Sequence, residues 1–368
     1  MTTAEDPLSR LTRFVQQKIE EDHCPGAVFL VHRQSKGAFK SAQGLAVVKP
    51  QPIPMKLDTI FDLSSLTKPL ITALLAALMA QKGTIRLEEK VGRFIPEFSD
   101  SLKRELTLTD LLTHRAGFQD WLPLYLFGGT MVDYLRHLNQ TPLLYPPRKR
   151  VVYSCIGYII LGEILSRVAG VSLDELALRM IIQPLKLSRT MFRPLSSLKP
   201  EIAATEEANR YERERVKEYG IDYKGWRQGV VWGEVHDQNA FSLGGVSGNA
   251  GLFSSADDLL RLATQFLPES EFFSPPFREL FFKNFTAGLD EDRTIGWQLA
   301  STTSSSAGHH LHPSSIGHTG FTGTSLWLDQ HAQAIYILLT NRIHPHYRGE
   351  NMNQLRQDYH RLAAQLFL

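Results

Sequence analysis

The chain has 368 residues, of which 43% are hydrophobic and 21% charged, the composition of a globular protein with a sizeable core. Its 40 basic and 38 acidic residues leave a formal net charge of +2, and no basic stripe is interleaved with aromatic residues, so we expect no nucleic-acid partner. The two cysteines, Cys24 and Cys155, are too few for a disulfide framework.

The N-terminal region carries no pattern typical of export. Residues 1–26 are polar and lack the apolar core of a signal peptide. The longest apolar run, residues 69–80, is too short to span a bilayer. We therefore expect a cytoplasmic protein without a membrane span, and the oligomeric state stays open.

The first third of the chain predicts a helix, a hairpin and a buried helix. Apolar residues at helical spacing predict an amphipathic helix over 6–22, and an antiparallel hairpin follows over 26–33 and 37–48. An apolar helix is predicted over 68–82 and a short helix over 106–117, each ended by a glycine.

The rest of the chain is helical in the middle and strand-like near its end. We predict helices over 157–170, 172–185, 256–267 and 350–367, and strands over 325–330 and 332–342. Strands thus gather near both ends of the chain. This pattern predicts one sheet built from both ends, with helices packed against it and a second, mostly helical lobe.

The sequence gives no regular pattern over 118–150, 201–235 and 233–254. The conformations of the first two stretches stay open. The dense charge over 201–228 favours a solvated helix or lid without chemistry. Residues 233–254 are rich in glycine but lack the lysine of a phosphate-binding loop, so they predict tight turns and close backbone packing. Trp121, Tyr125 and Trp232 are candidate aromatic walls of a pocket formed by these stretches.

Ser65 and Lys68 lie three residues apart at the start of the apolar helix. Residues at this spacing share a helix face, so the lysine amine would lie beside the serine hydroxyl. A desolvated amine that takes the hydroxyl proton, together with the positive end of the helix, would make Ser65 a nucleophile. The alternative interpretation is that Ser65 only caps the N-terminus of the helix and that Lys68 is an ordinary lysine without a catalytic role. A second S-x-x-K copy, Ser196 to Lys199, precedes no apolar helix.

Two further stretches carry polar groups suited to such a site. Tyr153 comes just before an apolar helix, where a phenol near cationic groups can transfer a proton; a core or rim aromatic is the plainer interpretation. His318, Thr319 and Gly320 begin a predicted edge strand, and the N–H groups of Phe321 and Ser65 could form an oxyanion hole. A surface-loop histidine is the alternative for His318.

In this order, Ser65-x-x-Lys68, Tyr153 and His318-Thr319-Gly320 resemble the motifs of the serine β-lactamase and penicillin-binding-protein superfamily. The middle tyrosine is similar to that of class C β-lactamases, DD-carboxypeptidases and family VIII esterases. The resemblance implies a single β-lactamase-related domain over 1–368, of the α/β (α+β) class. It would hold an antiparallel sheet flanked by helices in a lobe of about 1–62 and 285–368, and a mostly helical lobe of about 63–284.

The same resemblance implies the roles of the site residues. Ser65 would be acylated, Lys68 and Tyr153 would share the proton transfer, and the N–H groups of Ser65 and Phe321 would hold the oxyanion. A strand from about 320 to 328 would align the substrate. No metal or organic cofactor is implied, and the histidines at 309, 310 and 312 suggest an exposed loop with no zinc spacing.

Two positions depart from the family's pattern. Cys155 stands where Tyr-x-Asn motifs have asparagine, and a thiol is a weak partner for a substrate amide. A nucleophilic or redox role for Cys155 is the competing idea. His318 stands where K-T-G has lysine, and a neutral imidazole lacks the charge that holds a substrate carboxylate.

These departures favour a serine hydrolase acting on a small ester, amide or peptide, esterase-like rather than an efficient β-lactamase. A β-lactamase, a DD-peptidase or muropeptide hydrolase, and a catalytically silent ligand-binding member of the fold are the alternatives.

Overall fold

The computed structural model describes residues 6–98, 101–349 and 351–367, and the elements below are those found within them. The strands are β1 (Gly26–Arg33), β2 (Gly37–Val47), β3 (Ile53–Pro54), β4 (Phe61–Asp62), β5 (Met191–Phe192), β6 (Leu252–Ser254), β7 (Gln298–Leu299), β8 (Ile316–Thr319), β9 (Ser325–Asp329) and β10 (Ala334–Thr340).

The α-helices are α1 (Pro7–Glu20), α2 (Leu74–Gln81), α3 (Leu108–Leu112), α4 (Met131–Gln140), α5 (Cys155–Ala169), α6 (Leu173–Ala177), α7 (Arg210–Arg215), α8 (Gln238–Ser242), α9 (Ala256–Ala263), α10 (Pro275–Glu279) and α11 (Asn353–Ala364). A π-helical turn, Lys68–Ala73, leads into α2, and another, Leu178–Ile182, extends α6. Short 3-10 turns include Ser64–Leu66, directly before Lys68.

The main sheet joins the two ends of the chain, as the sequence predicts. Its strand order is β3-β2-β1-β10-β9-β8-β7, and every pairing is antiparallel. Strands β4, β6 and β5 form a separate small sheet, which the sequence did not predict. Helices pack against the antiparallel sheet, as the sequence predicts. The lobe boundaries at 62/63 and 284/285 stay a prediction.

Strand β1 shows how the two faces of the sheet are covered. Its residues alternate in direction, so Phe29 packs in a cluster with Leu11 of α1 and Tyr359 of α11. Val28 instead joins the larger core, which includes Leu259 of α9. Because both faces of β1 are covered by helices, its first six residues are buried and form an unbroken apolar run.

The glycine-rich stretch 233–254 packs closely against a helix, as predicted. A Cβ atom on Gly248 would lie 2.0 Å from the Tyr158 carbonyl oxygen, and one on Gly162 would lie 2.8 Å from the Gly248 nitrogen. These two glycines therefore allow the backbone after Gly248 to lie against α5. The approach brings the carbonyl group of Asn249 next to the side chain of Lys68, in the π-helical turn before α2.

Two predictions about local structure are wrong. The stretch from His318 does not begin an edge strand: His318 and Thr319 end β8, and the predicted strand 325–330 is β9, flanked by β8 and β10. A tight turn, closed by the bond from the Gly320 N–H to the Thr324 carbonyl (2.8 Å), separates the two strands. The charged segment 201–228 is not simply solvated, because several of its charged side chains are buried: Glu206, Glu212 and Arg227.

Among the described residues, no helix taken singly has the length and apolar character needed to cross a membrane. One sharply bent pair, Cys155–Ala169 with Leu173–Ile182, meets that test by length and composition.

We expect the contact between Gly162 and Gly248 to limit what α5 tolerates. Gly162→Ala should lower the free energy of unfolding by about 1–3 kcal/mol through overpacking, although alanine favours helices over glycine by about 1 kcal/mol. Gly157→Ala, five residues earlier in α5, is the matched control, since its Cβ would meet only ordinary contacts at 3.6 Å or more. Urea denaturation monitored by circular dichroism measures both; equal stability of the two variants would contradict the packing argument.

Candidate active site

Lys68 is a buried cation that joins three remote segments of the chain. Its side chain is fully buried, and Nζ lies 2.9 Å from Ser65 Oγ, 3.0 Å from the Asn249 carbonyl oxygen and 3.4 Å from Cys155 Sγ. An ammonium group has three N–H donors, and these three acceptors surround it together with the Tyr153 hydroxyl. The side chain of Ser65 is half-buried, so its hydroxyl stays open to the cavities beside it.

The charge state of Lys68 differs from the one we expected. Burial is the largest influence and lowers the pKa of Lys68, but the Cys155 and Tyr153 groups, which attract the ammonium ion once they lose their own protons, and the Asp237 carboxylate together raise that pKa above its usual value. A desolvated amine with a lowered pKa is therefore the wrong description. In the resting protein Lys68 is an ammonium ion that donates to Ser65.

Tyr153 meets Lys68 and Ser65, as the motif order predicted. Its ring centroid is 5.1 Å from Lys68 Nζ. Burial raises the pKa of Tyr153, while the Lys68 charge and hydrogen bonds with the Lys68 and Ser65 side chains oppose this shift only in part. The phenol is consequently neutral at rest and can donate its proton.

His114 holds the segment around Tyr153, and the sequence interpretation gave it no role. Its Nδ1 accepts the Ser154 N–H at 3.0 Å, its carbonyl accepts the Val152 N–H at 2.8 Å, and its ring lies 4.7 Å from the Tyr153 ring. Burial and the nearby Arg293 and Lys68 charges keep the pKa of His114 well below its ordinary value, so the ring is neutral. The only sequence feature at His114 was its position near the end of the short helix predicted over 106–117.

His318 faces the site from the end of β8. It is buried, and Nδ1 lies 2.8 Å from the Thr319 carbonyl oxygen, which leaves Nε2 without a hydrogen-bond partner among the described residues. Burial, then the Arg293 and Lys68 charges, hold the pKa of His318 well below its usual range. The imidazole therefore offers a neutral acceptor at Nε2 and no positive charge.

Gly320 lets β8 approach the Ser65 turn. A Cβ atom there would lie 2.1 Å from Thr324 Oγ1 and 2.5 Å from the Leu63 carbonyl oxygen, so no larger residue fits without displacement. The absence of a side chain at Gly320 thus makes room for the backbone before Ser65.

The predicted oxyanion donor Phe321 lies beside the same turn. Its N–H donates to Ser64 Oγ at 3.2 Å. Ser64 has a left-handed backbone (φ 49°), which points its hydroxyl at that N–H. A substrate oxygen that uses the Phe321 N–H must displace the Ser64 hydroxyl, a contact that nothing in the sequence indicated.

Two cavities open beside Ser65, and both are also lined by Tyr153 and Phe321. The first, here called the arginine pocket, has a volume of about 400 Å³ and is lined further by His318, Thr319, Gly320, Arg293, Arg342 and Arg356. The second, here called the acidic pocket, has a volume of about 170 Å³ and is lined further by Cys155, Trp121, Tyr211, Asp120, Glu212 and Asp237, with Ser64, Arg215 and His236.

The arginine pocket contains a buried cation with unused hydrogen-bonding capacity. Arg293 pairs with Glu291 at 2.6 Å, and Arg342 donates to the Phe321 carbonyl at 2.8 Å. Arg356 is buried and donates to the Thr324 carbonyl at 3.3 Å, but its Nε has no partner among the described residues. Burial and the Arg342 charge lower the pKa of Arg356 to about 9, so it is still positive at neutral pH. Such a site suits an anion.

Cys155 and Trp121 line the acidic pocket, whereas Tyr125 and Trp232 lie outside both cavities. Burial raises the pKa of the Cys155 thiol, and the Lys68 charge opposes this shift only in part, so the thiol is protonated at rest. Trp232 is instead fixed by its bond to the Ile202 carbonyl (2.7 Å). The histidines at 309, 310 and 312 are exposed, and no described group of three or more His, Cys, Asp or Glu residues is arranged to hold a metal ion.

Comparison with known proteins gives a consistent picture. The family model described as Beta-lactamase matches residues 11–361. A protein of Escherichia coli (strain K12) named "Putative D-alanyl-D-alanine carboxypeptidase" is 31% identical over 363 residues, covering 92% of this chain and 82% of that protein.

Two solved structures share the fold. EstCE1, described as a hydrolase with promiscuous acyltransferase activity, has a TM-score of 0.73 at 22% identity, covering 96% of this chain and 98% of its own. A class C beta-lactamase has a TM-score of 0.73 at 17% identity, covering 100% and 99%. Since the family model spans nearly the whole chain and the carboxypeptidase-named relative exceeds 30% identity, this protein belongs to the beta-lactamase family of serine hydrolases.

Proposed function

We propose that this protein hydrolyses a small ester or amide through an acyl-enzyme on Ser65, and that it is esterase-like rather than an efficient β-lactamase. The supporting observation is the 2.9 Å contact between Lys68 Nζ and Ser65 Oγ at the junction of the two pockets. Ser65 is the nucleophile, Lys68 and Tyr153 move the proton, and the Ser65 and Phe321 N–H groups hold the oxyanion.

The raised pKa values define the order of proton transfers. At rest Lys68 is an ammonium ion and Tyr153 a neutral phenol. The Lys68–Tyr153 pair must therefore first lose one proton to solvent. The deprotonated group then takes the Ser65 proton as Oγ attacks the carbonyl carbon. The same proton passes through the Tyr153 hydroxyl to the leaving group as the bond to it breaks. Water repeats these steps in reverse to release the acid.

Two residues support poor turnover of acylamino β-lactams. The Cys155 thiol is protonated and held by Lys68 at 3.4 Å, so it makes a weak partner for a side-chain amide. His318 is neutral and cannot hold a carboxylate by charge as a lysine does.

A carboxypeptidase acting on peptides with a free C-terminal carboxylate is the second candidate, and the arginine pocket favours it. The buried Arg356 guanidinium, with its unpartnered Nε, lines the same cavity as Ser65 and suits a substrate carboxylate. The name of the Escherichia coli relative points to the same substrate class.

The first prediction concerns the nucleophile. An activated fluorophosphonate should label the wild-type protein once, and Ser65→Ala should abolish the labelling. Ser196→Ala removes the exposed serine of the second S-x-x-K copy and should leave labelling intact. Intact-mass spectrometry measures the adduct; an unchanged adduct in Ser65→Ala would exclude Ser65 as the acylated residue.

The second prediction concerns pH. Because the active form has lost a proton from a group whose pKa is raised, kcat/KM for p-nitrophenyl acetate should be lowest at acid pH and rise through the neutral range into the alkaline range. His318 and His114 should add no step near the ordinary histidine value of about 6.5. Background-corrected rates measure this profile. A step near that pH that disappears in His318→Gln would show that the imidazole titrates.

The third prediction separates the two candidates. If the arginine pocket holds a carboxylate, an N-acylated peptide ending in free D-alanine should be cleaved at least about tenfold faster in kcat/KM than its C-terminal amide. Arg356→Gln should reduce that ratio towards one. Arg361→Gln, on the same helix but half-exposed and paired with Asp358, is the matched control and should keep the ratio. Equal rates for both peptides in the wild type would favour the esterase.

A further inference from the structure

The direction of the Phe321 N–H group is fixed by the turn that carries it. The same peptide group contains the Gly320 carbonyl, which accepts the Gly323 N–H at 3.1 Å. The Phe321 carbonyl accepts the Arg342 Nε–H at 2.8 Å, and the centre of the Phe321 ring lies 4.8 Å from that of the Tyr211 ring. Because these contacts hold the residue on three sides, the N–H cannot turn to a new acceptor, and an acceptor must come to it.

The Ser64 hydroxyl is the acceptor already in place, 3.2 Å from the Phe321 nitrogen. The Ser64 backbone is held at both of its polar groups: its N–H donates to the Asp62 carboxylate at 2.8 Å, and its carbonyl accepts the Thr67 hydroxyl at 2.7 Å. Asp62 and Thr67 are both buried. The Ser64 hydroxyl can consequently leave Phe321 only by rotation about the Cα–Cβ bond.

The hydroxyl lies where the reacting carbonyl oxygen must go. Ser64, Ser65 and Phe321 all line the acidic pocket, so the Ser64 side chain and the nucleophile share one cavity. A backbone N–H has one hydrogen, and here it is already directed at Ser64 Oγ. An oxyanion formed at Ser65 has to take this hydrogen bond from the Ser64 hydroxyl. A hydroxyl tethered beside the N–H competes more strongly than free water, because its effective concentration there is higher.

We propose that Ser64 limits the rate of the reaction at Ser65, because its hydroxyl occupies the Phe321 N–H until the substrate oxygen displaces it. This inference rests on the proposed function, in which that N–H holds the oxyanion. Acylation and deacylation each form an oxyanion, so the hydroxyl rotates away in both steps and returns when the product leaves. The serine at position 64 therefore lowers activity, and its removal raises it.

The test removes the Ser64 oxygen in two ways. Ser64→Ala and Ser64→Gly both free the Phe321 N–H, and each should raise kcat/KM for p-nitrophenyl acetate by about two- to tenfold, the worth of one neutral hydrogen bond. Glycine also tolerates the left-handed backbone of residue 64 (φ 49°), so Ser64→Gly should be the more stable variant in urea denaturation. Equal activation at unequal stability would assign the gain to the lost hydroxyl rather than to relief of backbone strain.

An unchanged or lower kcat/KM in both variants would overturn the proposal. A fall in both would show that the Ser64 hydroxyl donates to the oxyanion instead of competing with it.

Two further measurements separate the freed N–H from an enlarged cavity. Phenylboronic acid forms a bond from boron to Ser65 Oγ, the serine proton passes to the Lys68–Tyr153 pair, and the tetrahedral anion places an oxygen at the oxyanion position. Its inhibition constant should fall in both variants by the factor by which kcat/KM rises. The gain should also be the same for p-nitrophenyl butyrate as for the acetate. A gain that grows with acyl length would assign the effect to added space and overturn the proposal.

Ser101→Ala is the matched control. The Ser101 hydroxyl also accepts a backbone N–H, that of Lys103 at 3.0 Å, but Ser101 lines neither cavity beside Ser65. This variant should leave kcat/KM unchanged. A comparable rise in Ser101→Ala would show that the loss of any such bond activates the enzyme, which would overturn the role assigned to Ser64.

Failure of this inference differs from failure of the proposed function. If the wild type forms an adduct that Ser65→Ala removes, and the Ser64 variants gain no activity, the inference alone falls. If no ester, fluorophosphonate or boronic acid gives an adduct at Ser65 in the wild type or in the Ser64 variants, both fall together.

Discussion

The site depends on one buried charge, the ammonium group of Lys68. A fully desolvated cation is tolerated when its donors are all used, and here Ser65, Cys155 and Asn249 supply one acceptor each. These residues come from three segments that are far apart in the chain. The need to satisfy Lys68 therefore brings together the Ser65 turn, the start of α5 and the glycine-rich stretch.

Close backbone approach makes this convergence possible. Gly248 and Gly162 let the Asn249 segment lie against α5, and Gly320 lets β8 lie against the turn before Ser65. At each contact a Cβ atom would overlap backbone or a buried side chain. The glycines thus fix the distance between the lysine, its acceptors and the strand that carries His318, which a larger residue would increase.

Sequence patterns predicted the parts with strong local signals. The hairpin β1–β2, the apolar helix after Lys68 and the strands near residue 330 have clear periodicity, so the sheet built from both chain ends was predictable. The motif order also predicted that Tyr153 would meet Lys68 and Ser65. The two-residue strands and β8 were missed because a run as short as Ile316–Thr319 carries no readable period.

The charge states and the burial of site residues could not be predicted, because the tertiary environment determines them. The sign of the Lys68 pKa shift depends on Cys155, Tyr153 and Asp237, which only the fold places near the amine. The burial of Glu212 within a densely charged segment contradicts its local pattern, since charge runs are usually solvated. His114, in the turn after α3, and Arg356, on α11, have no sequence signal that separates them from other polar residues.

The buried Arg356 guanidinium argues that the polarity of the arginine pocket serves binding rather than folding. Its Nε has no hydrogen-bond partner among the described residues, and such an atom costs about 1–3 kcal/mol of stability. Local conflicts of this kind occur where binding needs them. A substrate carboxylate held by Arg356 would lie in the cavity that Ser65 also lines, so the scissile carbonyl of the same molecule could reach the nucleophile.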